Sequence, residues 1–180
     1  MALLKLEGWK LFILILTPAI VGAMVLLISQ YLLNDNPSLL VVGQILTVIF
    51  VGVFVYWIYW LGTYLAQLPP HQNFSLSLFK SALVFSALYR VTIETFSLWY
   101  SVNYHSRLDL ESSLWIIPIH LLATVAALYC FYTDSRLLVS VERQHPSGFK
   151  DVWQTFGLIL AFPIGIWFIQ PRLHKLFARM

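Results

Sequence analysis

The sequence predicts an all-α, polytopic membrane protein: four transmembrane helices, then a C-terminal segment broken by Pro and Gly that re-enters the membrane or lies in its interface. Three observations carry this. Of 180 residues, 59% are apolar and 11% charged, where a soluble domain carries about a quarter charged. A chain of 20.8 kDa has no core that absorbs so much apolar surface, so lipid has to be the solvent. Four stretches reach the roughly 20 helical residues that cross about 30 Å of hydrocarbon, and the last apolar stretch, "LILAFPIGIWFIQPRLHKLF" at 158–177, does not do so unbroken. The chain, 1–180, reads as a single membrane domain.

The first span, Leu11–Leu33, follows Lys5 and Lys10. Such a start resembles a secretory signal with "VGA" at 21–23 as its cleavage site, but the apolar run outlasts the roughly 7–15 residues of a signal core, so it reads as a retained anchor. "NDNPS" at 34–38 is a turn by composition, and Pro37 cannot continue a helix. The second span, Leu39–Leu68, has 30 residues. At about 45 Å it must tilt or protrude. Tyr56, Trp57, Tyr59, Trp60 and Tyr64 fall where an interfacial aromatic belt belongs, and "PPHQN" at 69–73 ends the span.

The third span, Leu76–Val102, is interrupted by Lys80, Arg90 and Glu94. Charges at so few positions leave most of its surface apolar, which favours a crossing over an in-plane amphipathic helix. Trp99, Tyr100 and Tyr104 mark its far end. After a polar stretch, Ser106–Ser113, the fourth span runs Leu114–Leu138, with Pro118 in its first turns, where a missing N–H costs least. The fifth candidate, 153–170, is divided by Pro163 and Gly165 into pieces too short to span. Pro171 and a basic tail, 171–180, follow.

Basic residues near span ends stay on the cytoplasmic side. With the N-terminus inside, four spans place Lys5, Lys10, Lys80, Arg136, Arg143 and Lys150 inside and Arg107 outside. If the broken segment turns back, Arg172, Lys175 and Arg179 join the inner set, nine against one; if it crosses, the bias falls to six against four. The count therefore favours a terminal segment that turns back or lies in the interface, with both termini cytoplasmic, a Pro-kinked fifth crossing being the alternative. The +3 net charge and pI near 9.1 are orientation signals on this reading, and no nucleic-acid partner is expected.

Ionisable side chains within a span are rare and mark functional positions by default. Arg90 and Glu94, four apart, share a helical face, as an internal ion pair that fixes packing or as part of a site. Counting about 1.5 Å per residue inward from the span ends brings His120, Gln44 and Thr47 to depths similar to Glu94. Thr124 falls near Arg90. Arg90, Glu94, His120, Gln44 and Thr47 are thus the expected intramembrane polar cluster. Ala19, Gly22 and Ala23 on the first span, and Gly43 with Thr47 on the second, form small-residue faces that let helices approach closely, within one chain or between copies. Pro163, Gly165 and Pro171 are the expected re-entrant break.

There is no Gly-rich phosphate loop, GxSxG elbow, HExxH or cysteine pair. Cys130 is alone and reads as packing. His105, Asp109 and Glu111 share a short outer stretch but lack a fourth ligand at recognisable spacing, so no metal and no cofactor is expected. Asp134, Arg136, Glu142, Arg143 and His145 read as a solvated interfacial segment at the close of the fourth span and after it.

"FPIGIWFIQPR" at 162–172, with "LFK" at 78–80, "IIPIH" at 116–120 and Glu142, resembles an uncharacterised group of small polytopic inner-membrane proteins of Bacteroidetes-type bacteria. The resemblance covers most of the chain from about Tyr59 onward. It implies a bacterial inner-membrane protein whose Pro-Ile-Gly and Gln-Pro-Arg elements belong to the design, and it brings no activity and no site residues. Three function classes follow from residues and resemblance together. The foremost is an interaction protein without chemistry of its own, a subunit of a homo-oligomer or larger membrane assembly. The second is an oligomeric channel or membrane-perturbing pore, and the third a lipid-facing enzyme or transporter that uses the Arg90, Glu94 and His120 cluster.

Overall fold

The computed structural model describes residues 6–32, 36–69, 75–104, 114, 116–162 and 164–178. These form six helices and, among the described residues, no strand: α1 (Gly8–Leu32), α2 (Pro37–Leu65), α3 (Leu76–Tyr104), α4 (Ile116–Arg143), α5 (Phe149–Leu160) and α6 (Ile166–Ala178). The first four are long and apolar enough to cross a membrane. At 25 to 29 residues they measure about 37–43 Å, longer than a bilayer core, so they tilt or protrude. Pro37 occupies the first position of α2, where its fixed φ suits helix initiation. Asn36 caps that end, its side-chain oxygen accepting from the N–H groups of Ser38 (3.1 Å) and Leu39 (3.4 Å). α4 runs one turn past the expected limit, to Arg143.

α1 lies along α2, α2 along α3 and α4, and α3 along α4. The α1–α2 contact is made by the two glycines: a Cβ on Gly22 would stand 3.2 Å from the Gly43 carbonyl oxygen, and one on Gly43 3.2 Å from that of Gly22. Gly22 is buried, whereas Ala19 is half-buried and Ala23 exposed. The small-residue face is therefore spent mostly within the chain.

The end of the chain is a helical hairpin. α5 and α6, of 12 and 13 residues, reach only about 18 and 20 Å, so neither spans. Phe162 at the tip packs on Phe54 (ring centroids 4.5 Å) and Trp57 (5.8 Å) of α2, while Phe177 near the end of α6 packs on Tyr64 (4.9 Å). Phe54 and Tyr64 are ten residues apart, about 15 Å along α2, so the hairpin runs about that far along the bundle and returns toward the end where it began. Neither α5 nor α6 is among the described helices long and apolar enough to cross a membrane. The turn rests on Gly165, where a Cβ would lie 1.7 Å from the Leu158 carbonyl oxygen. Pro163 falls outside the described residues. Pro171 is not part of the break: it sits inside α6, which continues to Ala178 because the buried Ile169, Gln170 and Leu173 hold that turn by packing.

The hairpin closes the core. Leu11, Ile15, Trp57, Ile58, Leu61, Leu65, Phe79, Leu138, Ile159, Ile166 and Ile169 are all fully buried, and all lie toward this end. The expected aromatic belt is corrected accordingly: Trp57 and Tyr64 are core residues under the hairpin, and of the five only Tyr56 is exposed.

Charged groups that the sequence suggested were merely solvated strap the hairpin down. Arg172 of α6 grips Glu142 of α4 with two donors, Nε at 2.7 Å and Nη2, and its Nη1 donates to Thr155 of α5 at 3.0 Å. Arg143 pairs with Asp151 at the start of α5. The Arg143 hydrogen bond, followed by the Gly148 N–H (3.2 Å), holds the Asp151 carboxyl below the usual aspartate range. Because that pKa is depressed, its stabilisation of the α4–α5 corner is complete above about pH 4 and is lost as pH falls through the lowered value. Protection of the 149–155 amides, taken relative to their intrinsic exchange at each pH, is expected to fall below about pH 4, and Asp151→Asn to remove that dependence; protection indifferent to pH in both proteins would contradict it.

Candidate intramembrane slot and polar cluster

Antiparallel packing sets the register of α3 against α4. The Phe79 carbonyl meets the Cys130 thiol (3.7 Å) and the Tyr89 hydroxyl meets His120 Nδ1 (3.0 Å). Between these two levels α2, α3 and α4 leave a slot of about 360 Å³, within the range of small-molecule sites. Its walls are apolar, with Val51 and Phe54 from α2, Leu83 and Ala87 from α3, and Ala127 from α4. Leu160, at the end of α5, lies at its foot.

Its polar side chains lie mainly at the other end. Tyr89, Arg90 and His120 line that end. Ser86 and Thr124 also line the slot, but their hydroxyls donate to carbonyls of their own helices, Leu83 (3.0 Å) and His120 (2.8 Å), so they offer little to a ligand. If the Tyr89 phenol donates to Nδ1, His120 Nε2 carries the ring proton and is a donor. Arg90 is the middle residue of α3, fourteen from Leu76 and fourteen from Tyr104.

Of the expected cluster, the structure joins three members. Arg90 Nη2 pairs with Glu94 Oε1, and Glu94 Oε2 accepts from Gln44 Nε2 at 3.1 Å, tying α3 to α2. The Arg90 side chain keeps 51% of its surface exposed against 21% for Glu94. His120 is not bonded to Glu94 but to Tyr89, and Thr47 turns to its own helix, donating to the Gly43 carbonyl at 3.1 Å. His105, Asp109 and Glu111 lie outside the described residues.

No protein family, characterised protein or solved structure matches this chain. Its chemistry is read from its own side chains.

Two residues escaped the sequence. Tyr89 was hidden among aromatics with no periodic signal to set it apart. Asp134, expected in the solvated segment, is fully buried, and neither carboxyl oxygen has a hydrogen-bond partner among the described residues. The space Asp134 occupies is vacated by Gly62 of α2, where a Cβ would approach Oδ1 to 2.4 Å. The signal that marks it is the helical spacing of Cys130, Leu137, Leu138 and Val141 on its face, all of them buried.

Proposed function

We propose that this chain is a multi-pass protein of a bacterial inner membrane, with both termini cytoplasmic, that holds a lipid-dissolved ligand in the slot between α2, α3 and α4 without chemistry of its own. Supporting the orientation, Leu6 and α6 meet at one end of the bundle: the Leu6 carbonyl accepts from Gln170 Nε2 (2.7 Å) and His174 Nε2 (3.0 Å). Lys10, Lys80, Arg143, Lys150, Arg172 and Lys175 stand on or near that end, as cytoplasmic basic residues do. The observation that carries the function is the slot itself, apolar along its length and polar at the midpoint of α3. A continuous ion path is the weaker reading, because the hydroxyls of Thr47, Ser86 and Thr124 are spent on their own helices.

In detergent or nanodiscs, an environment-sensitive apolar probe is expected to bind saturably, and Ala127→Trp, which fills the slot, to abolish saturable binding with little change in melting temperature. Equal binding by both proteins would sink the reading. A second reading, the assembly subunit or homo-oligomer, is favoured by small residues that face outward: Ala23 is exposed, and a Cβ on Gly52 would meet nothing within 4 Å. Light scattering on the same preparation tests it, and a monomer would overturn it.

A further inference from the structure

Resting on the slot reading, we infer that the ligand is a single-chain amphiphile ending in a carboxyl group, a long-chain fatty acid, with its head on Arg90 and His120 and its chain directed toward Leu160. Within a bilayer, hydrocarbon tails are as apolar as the slot walls, so chain burial gives little drive over leaving the chain in lipid. Selection must come from the polar end. The groups there are donors: the guanidinium of Arg90, and His120 Nε2 when Tyr89 donates to Nδ1. An acceptor with two adjacent oxygens matches the fork of an arginine.

Glu94 does not cancel this. It lies on the far side of Arg90, held by Gln44 at 3.1 Å, and does not line the slot. The guanidinium has five N–H donors, of which Glu94 engages Nη2, and the half-exposed remainder is available to the slot. The local charge facing the ligand is therefore positive, with the pair's negative end turned to α2.

Depth separates carboxyl from phosphate. With about 21 Å of α3 on either side of it, Arg90 stands near the middle of a layer about 30 Å thick. A phosphate headgroup stays charged and anchored at the surface. A carboxylic acid enters hydrocarbon in its neutral form and reaches the middle of the layer, where the donors of Arg90 and His120 replace the water it left. The distance along α3 from Arg90 to Leu83 is about 10 Å, so the slot receives the first part of the chain and its open side lets the rest trail into lipid.

The test holds chain length constant and changes the head. Purified protein in nanodiscs of phosphatidylcholine is titrated with a spin-labelled C16 acid, and unlabelled palmitic acid, hexadecanol and lysophosphatidic acid compete. Palmitic acid is expected to displace the probe at least about tenfold better than hexadecanol. Arg90→Gln is expected to weaken the acid about tenfold and leave the alcohol unchanged, and His120→Gln to do so less strongly. Acid and alcohol competing equally would overturn the carboxyl assignment and leave the slot reading standing. Lysophosphatidic acid competing as well as palmitic acid would replace the fatty acid by a surface-derived phosphate and overturn the depth argument. If no chain displaces an apolar probe, slot and carboxylate fall together. Should Arg90→Gln fail to fold, Arg90→Lys, which keeps the charge but loses the fork, provides the same comparison.

Discussion

Gly165→Ala is expected to unseat the α5–α6 hairpin. The added Cβ would sit 1.7 Å from the Leu158 carbonyl oxygen, 2.5 Å from its carbonyl carbon and 3.0 Å from its Cα. These are backbone atoms of the preceding helix, and no rotamer change relieves them, so α6 has to swing away from α5. Ile159, Phe162, Ile166, Ile169 and Leu173, all buried, would then leave the core together. A change that combines backbone collision with loss of a packed element belongs to the severe class, on the order of 4 kcal/mol or more. Protease sensitivity within 149–178 and rapid amide exchange across α5 and α6 are the expected signs, with α1–α4 still helical. An alanine variant with wild-type protection across the hairpin would contradict the geometry.

Gly62→Ala is expected to have the second largest effect. Its Cβ would meet Asp134 Oδ1 at 2.4 Å and the Phe79 ring at 2.5 Å, two side chains that are themselves fully buried. Overpacking of this kind costs about 1–3 kcal/mol. The lone cysteine supplies the measurement. Cys130 is buried one helical turn before Asp134, against the Phe79 carbonyl, so separation of α2 from α3 and α4 admits a thiol reagent. Faster labelling of Cys130 in Gly62→Ala, partly reversed by Asp134→Ala in the double variant, is the expected pattern. The reversal is partial because the ring of Phe79 remains in place. Identical labelling rates in the single variant and the wild type would show that the α2–α3–α4 contact is looser than described.

These two glycines also mark how far the sequence could be read. The number of long helices was legible, because about 20 apolar residues in a row have few other uses, and Pro37 and the Arg–Glu spacing at 90 and 94 each signalled a local event that the structure contains. The turn at Gly165 was legible as a break. Its direction was less so, since a turn back is decided by which aromatic ring meets the tip, and nothing in "FPIG" names Phe54 as the partner of Phe162. The site was legible as a depth and not as a network. Counting residues put His120 near Glu94 in height, but height along the membrane normal does not fix which face of α4 the ring leaves from, and it leaves toward Tyr89. Asp134 was misplaced for a related reason. A charged residue near the end of a span was assigned to water, although its helical neighbours Cys130, Leu137 and Leu138 were apolar and the vacancy that receives it lies on another helix, at Gly62.

The hydrogen bonds from Gln170 and His174 to the Leu6 carbonyl join residues 164 and 168 positions apart. During biosynthesis at about 5–20 residues per second, the start of α1 waits roughly ten to thirty seconds after emerging before α6 exists to meet it. Through that interval Leu11 and Ile15, which end fully buried, have no cover from the last helix, and lipid or a membrane chaperone has to shield them. Completion of the core is thus a late event that waits on synthesis of α6, and a nascent chain stalled before Ile166 would hold α1–α4 without the cover of the hairpin.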